Sequence, residues 1–78
     1  MIATGLVLVR LKAGKEKDAL KKLKEIDGVS HMSAVFGRWD LVVDVEAVDL
    51  PTLTKVVVSS IRCVPGVFST ETLITTAI

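Results

Sequence analysis

Few side chains in this 78-residue sequence can do chemistry, and fewer are spaced to do it together. Asp40 closes the run Gly37-Arg38-Trp39-Asp40. Gly37 can take φ > 0 and Asp40 can accept from nearby backbone N–H groups, so these four residues suit a tight turn between two strands. Backbone N–H groups at such a turn can hold a carboxylate, and Asp40 can pair with an ammonium. Such a turn could complement both an anionic and a cationic group. Trp39, the sole tryptophan, falls at the tip, where its own hairpin hides it poorly and another surface or a ligand must cover it. Further along, Thr70 and Thr72 lie two apart on a strand, which turns both hydroxyls to one face. The plainer readings are a bare hairpin turn for the first group and ordinary β-propensity for the second.

Other reactive residues lack company. His31 is the one histidine and no Cys or second ligand is spaced with it, so a structural or surface role fits better than a metal site. Cys63, near a helix end, reads as a packed small hydrophobe with no base spaced to activate it. Asp44 and Glu46 share a strand face, but no further acid or ligand cluster completes an active site. The lysines at 15, 17, 21, 22 and 24 are diluted by Glu16, Asp18 and Glu25, and no aromatic recognition element accompanies them, so they read as a solvated helix face. We find no catalytic set, no metal site and no cofactor motif.

Bulk properties set the frame. One domain is expected, and a chain of this size buries only about 60% of the surface its unfolded form exposes. Yet 50% of the residues are hydrophobic and the mean hydropathy is +0.56, so an oligomer is expected to hide the surplus. No apolar run approaches the ~20 residues that span a bilayer, and Met1 to Gly5 lack the basic start of a secretory signal. A lone cysteine fits an intracellular, reducing compartment, and the cytoplasm is the expected location. A net charge of +1 argues for neither nucleic acid nor an acidic partner.

The elements that must carry these residues follow from hydrophobic spacing. Residues 3–11 form a continuous apolar run, as in a strand covered on both faces. Residues 15–26 are helical, with Ala19, Leu20, Leu23 and Ile26 on one stripe and Gly28 as C-cap. Val29 to Phe36 and Leu41 to Val48 are strands flanking the turn. Asp49 is an N-cap with Pro51 in the first turn of a second helix. Val56-Val57-Val58 favours β locally, but Leu53, Val57, Ile61 and Val64 form a helical stripe and Pro65-Gly66 stops it, so the segment to Cys63 is read as helix. Phe68 to Thr76 is the last strand.

A shift of 38 residues lays Leu20, Leu23, Ile26 and Gly28-Val29 on Val58, Ile61, Val64 and Gly66-Val67, and Gly5, Val7 and Val9 on Val43, Val45 and Ala47. Two βαβ halves in tandem give βαββαβ, an α+β ferredoxin-like fold with both helices on one face of a four-stranded antiparallel sheet. The sheet's other face is left bare, and stacking two sheets is the simple remedy.

With these elements in place, the chain resembles the effector-binding domain of the Lrp/AsnC (feast/famine) transcriptional regulators over about Leu6 to Ile74. The carrying motifs are a Gly-x-aromatic-Asp turn, matched by Gly37-Arg38-Trp39-Asp40, and Pro-Gly-Val-x-x-Thr-x-Thr, matched by residues Pro65 to Thr72. The resemblance implies a dimeric α+β barrel, with dimers assembled into octamer-like rings. It also implies that an amino acid or related metabolite binds between dimers near the turn, through Gly37, Arg38, Trp39, Asp40, Thr70 and Thr72. The family's helix-turn-helix has no counterpart in these residues, so a stand-alone domain is expected. It would make no direct contact with DNA or membrane, and full-length family regulators would be its partners. Three positions depart from the family's habit: Phe36 stands for a small polar residue, Arg38 for a frequent acid and Trp39 for the commoner Tyr. An inward Arg38 would favour a carboxylate-bearing ligand over a basic one.

Two other readings stay open on the residues. One is a small dimeric α+β barrel enzyme, in which only His31 could serve as acid or base near neutrality. The other is an assembly domain whose turn merely docks one dimer on the next.

Overall fold

The computed structural model describes residues 2–75. The elements run β1 (Ala3–Leu11), α1 (Glu16–Lys24), β2 (Val29–Ala34), β3 (Leu41–Ala47), α2 (Leu50–Lys55) and β4 (Val67–Ile74), with α2 continuing into a π-helical stretch, Val56–Ile61. The sheet order is β2-β3-β1-β4 and every neighbouring pair is antiparallel, which is the expected ferredoxin-like βαββαβ arrangement.

Alternation along the strands decides which residues meet the helices. Val7 and Val9 of β1 and Leu41, Val43 and Val45 of β3 are buried under the helices. Ala19 and Leu23 reach them from α1, and Leu53, Val57, Ile61 and Val64 from the second helical segment. The stripe expected at 53, 57, 61 and 64 is buried at every position. On the opposite face β1 presents Leu6, directly across from Leu73, and Leu8, across from Val42 and Glu71. Leu6 is 38% exposed and Leu73 47%. The apolar run of β1 is therefore covered on one face only within a protomer.

The 38-residue repeat appears in the backbone. Gly28 and Gly66 each precede a strand, with φ of 102° and 99°. The following N–H donates three residues back in both halves, Val29 to Ile26 at 3.2 Å and Val67 to Val64 at 3.1 Å. Each glycine carbonyl accepts from the strand beside it, Gly28 from Glu46 N–H (2.8 Å) and Gly66 from Lys12 N–H (2.7 Å). A Cβ at Gly66 would lie 3.0 Å from the Lys15 Cβ and 3.2 Å from the Ala19 Cβ, so α1 would have to give way to admit a side chain. Close packing of α1 on this turn needs the glycine as much as the φ does.

Several boundaries differ from those the sequence implies. The first helix ends at Lys24 with Glu25 as its cap. Glu25 and Ile26 donate three residues back, a tightening that satisfies terminal carbonyls without Gly28. Gly28 instead turns the chain into β2. That strand stops at Ala34 and β3 at Ala47. β4 begins one residue early, at Val67, and ends at Ile74, while Thr76 lies outside the described residues. Asp49 does cap α2: its extended backbone sets the carboxylate to accept from Thr52 N–H at 2.8 Å. Thr52, through its side chain first and its N–H second, holds the Asp49 carboxyl below the ordinary 3.8.

The second helix holds the largest surprise. Over Val56–Ile61 its bonding is π, and Arg62 N–H donates to Val57 five residues back at 3.0 Å. In an α-helix, each step of four residues overshoots a full turn by about 40°. Wider π turns reduce that drift. A strict spacing of four at Leu53, Val57 and Ile61 thus stays aimed at the sheet, and the neighbouring stripe, Thr54, Val58 and Arg62, stays beside it.

Candidate functional site

Residues 35–40 form a six-residue loop, wider than a tight turn. Val35 N–H donates to the Asp40 carbonyl at 3.0 Å, and Gly37 takes φ of 121° between them. Asp40 is bound into the sheet twice. Its N–H donates to the Val9 carbonyl at 2.9 Å, and its Oδ2 accepts from Leu11 N–H at 2.8 Å. The carboxylate therefore fastens the loop to the end of β1. Trp39 is partly buried, contrary to the expectation of an uncovered tip. Phe36 takes the exposed place, with its ring fully in solvent, and Arg38 is exposed beside it.

Thr70 and Thr72 share the helix-facing side of β4, as their spacing implies. Thr70 lies across from Val9 and Thr72 across from Val7. β4 is an edge strand, so both side chains line an open groove of about 430 Å³ between the strand and the second helix. Its strand wall is Thr70, Thr72 and Ile74, and its helix wall is Thr54, Val57, Val58 and Arg62. A second groove of about 290 Å³ adjoins it, sharing Arg62 and Thr70 and adding Phe68 and Ser69. The volume of the first lies within the range of small-molecule sites.

The two halves of the expected site are near each other without lining one cavity. Val9 bonds Asp40 on one side and faces Thr70 on the other, so loop and groove lie at the same end of the sheet. The strands that carry them, β3 and β4, flank β1, which sets them about 10 Å apart. Gly37, Arg38, Trp39 and Asp40 line neither groove. Sequence reasoning missed Thr54, Val58 and Arg62. Their spacing of four beside the buried stripe was the available signal, and it becomes decisive only once the π turn is known.

The remaining candidates are accounted for by position. His31 is exposed on the open sheet face, across from Asp44. Cys63 is exposed rather than packed, and its thiol donates to the Val58 carbonyl at 3.6 Å. Among the described residues no three His, Cys, Asp or Glu side chains come together as metal ligands, and no helix is long and apolar enough to cross a membrane.

Comparison with known proteins agrees with the fold and the motifs. Residues 4–77 match the Lrp/AsnC ligand binding domain, and the chain belongs to that family, which is one of regulators rather than enzymes. It is 28% identical over 74 residues to an uncharacterized HTH-type transcriptional regulator, PF0250 of Pyrococcus furiosus, covering 91% of this chain and 49% of that protein. The chain thus spans about half the length of the curated relative it matches. The crystal structure of TTHA0845 from Thermus thermophilus superposes with a TM-score of 0.89 at 30% identity, covering 97% of this chain and 95% of the other. A transcriptional regulator of Neisseria meningitidis, NMB0573, solved as a complex with L-Met, shares the fold at a TM-score of 0.86 and 14% identity, over 96% of this chain and 50% of that one.

Proposed function

We propose that this domain is an effector-sensing module that binds a free amino acid or related metabolite and couples binding to assembly. The observation that carries the reading is the groove at the β4 edge, lined by Thr70 and Thr72, whose hydroxyls can donate and accept. The family supplies the ligand class, and the methionine complex of the Neisseria protein is an instance of it.

The loop and the groove would complete one site across a junction between copies. One copy would offer Thr70 and Thr72, and its neighbour the loop Gly37, Arg38, Trp39 and Asp40. A carboxylate has about four acceptor positions and Leu11 N–H uses one, so Asp40 retains capacity for an α-ammonium. The open sheet face, with Leu6, Leu8, Val42 and Leu73, would pair two protomers, and dimers would close into an octamer-like ring. A ligand held between copies binds the assembled state better than the dispersed one, which is what linkage requires for it to shift assembly or contacts with a full-length regulator. A cytoplasmic setting fits this role.

A second reading has its own observation. Because the Asp40 carboxylate already ties the loop to β1 and Phe36 is bare, the loop could serve docking alone. Thermal unfolding against the twenty amino acids at millimolar concentration separates the two. A ligand at 100 times its Kd adds about 2.7 kcal/mol, and ~1 kcal/mol moves a domain of this size by roughly 4–8 °C. A selective rise for one or two amino acids is expected. No rise for any of them would leave only the docking reading.

A further inference from the structure

Among the described side chains that line the groove at the β4 edge, one is charged, and it is Arg62. Among the described residues no acid lines this groove or its neighbour, and Arg62 and Thr70 belong to both. The position follows from the backbone. Arg62 caps the π-helical stretch, and its N–H reaches five residues back to Val57. That widened turn keeps Thr54, Val58 and Arg62 in one row facing the strand wall. Single π turns within helices are frequent at functional sites, and here the irregularity delivers a cation to a groove otherwise lined by hydroxyls and aliphatic carbons.

We infer that this site selects an amino acid whose side chain bears a carboxylate, and that Arg62 makes the selection. The inference rests on the reading of the groove as an amino-acid site and names the ligand class within it. A guanidinium presents a planar fork of donors that a carboxylate accepts in pairs, and it has no acceptor for an ammonium. Thr70 and Thr72 can bond a neutral or an anionic ligand equally, so they set position and not charge. With the neighbouring copy's Asp40 engaged by the α-ammonium and no acid among the described lining residues, a lysine or arginine side chain would face Arg62 uncompensated. The exposed Arg38, the cation that the turn motif brings to attention, lines neither groove.

The test is titration calorimetry of the full chain with glutamate, glutamine, aspartate, asparagine and lysine, on the native protein, on Arg62→Ala and on Lys21→Ala, an exposed cation of α1 that lines neither groove. Arg62 is exposed, so its truncation leaves the core intact, and an unchanged far-UV spectrum and oligomer mass verify this. The native protein should bind the acidic member of each pair roughly ten- to a hundredfold more tightly than its amide, the range of one charge-assisted pair. Arg62→Ala should erase that ratio while amide binding persists, and Lys21→Ala should keep it. Added salt should narrow the ratio in the native protein. Binding of an amide as tight as its acid, or a ratio that survives Arg62→Ala or vanishes with Lys21→Ala, overturns the inference and leaves the amino-acid reading standing. Binding of none of the five overturns the inference, and no response of the native protein to any of the twenty amino acids overturns the amino-acid reading as well.

Discussion

The Asp40 carboxylate accepts a hydrogen bond from the backbone N–H of Leu11 at 2.8 Å, joining residues 29 apart in sequence. With the Asp40 N–H on the Val9 carbonyl, this side chain closes the end of the sheet where the loop and the β4 groove meet. Asp40 therefore has a structural role that any ligand must share. Asp40→Asn keeps an acceptor for Leu11 N–H and should hold stability within about 0.5 kcal/mol of the native protein. Asp40→Ala removes the acceptor and should cost about 0.5–1.5 kcal/mol. Denaturant unfolding measures both. If ligand binding fails in the Asn variant at native stability, the ligand uses the charge.

Glycine replacements should divide by their surroundings. Gly66 and Gly14 both have positive φ, 99° and 82°, but a Cβ at Gly14 meets nothing within 4 Å while one at Gly66 strikes α1. Gly14→Ala should cost about 1–2 kcal/mol, the left-handed penalty alone. Gly66→Ala adds a clash with Lys15 and Ala19 and should cost more, lowering the thermal midpoint further. Equal midpoints would contradict the packing described for α1.

The Asp49 cap predicts a pH dependence. Its carboxyl is held below 3.8 in the folded chain, so the unfolded chain binds this proton more readily. The cap's contribution is then present above the unfolded value and lost as pH falls through the folded one. Asp49→Asn keeps a capping oxygen and does not titrate. The gap in thermal midpoint between native and variant proteins should hold steady near neutrality and change only below the ordinary 3.8.

The bare face of the sheet should govern assembly. Leu6 lies across from Leu73 and both are substantially exposed in the protomer, so Leu6→Lys should leave the fold intact and disrupt pairing. Sedimentation should show multiples of 8.4 kDa for the native chain and a shift toward the single protomer for the variant. An unchanged mass would move the interface elsewhere.

What was legible in the sequence was what depends on local spacing. The buried stripe Leu53, Val57, Ile61 and Val64, the Asp49 cap and the Gly28/Gly66 repeat each rest on residues a few positions apart, or on the same pattern met twice. Features that depend on distant contacts were hidden. Asp40 bonds to the end of β1, Trp39 is partly buried and Phe36 is bare, so the aromatic that most needs cover is not the one the motif points to. The π turn was hidden for another reason. A spacing of four satisfies an α stripe and a π stripe alike, and only the backbone bond from Arg62 to Val57 distinguishes them. With that bond unseen, nothing in the spacing singled out Arg62, the one charged side chain among the described residues that line the groove.

The most direct test of the sensing role is titration calorimetry of the native chain and of Thr72→Val with the amino acid that gives the largest thermal shift. Valine keeps the shape and β-propensity of threonine on β4 and removes only the hydroxyl. Saturable binding to the native chain is expected, with about tenfold weaker binding to the variant at unchanged oligomer mass, the value of one hydrogen bond to a charged ligand group. Equal affinity in the two proteins would contradict the assignment of the groove, and binding to neither would contradict the sensing function itself.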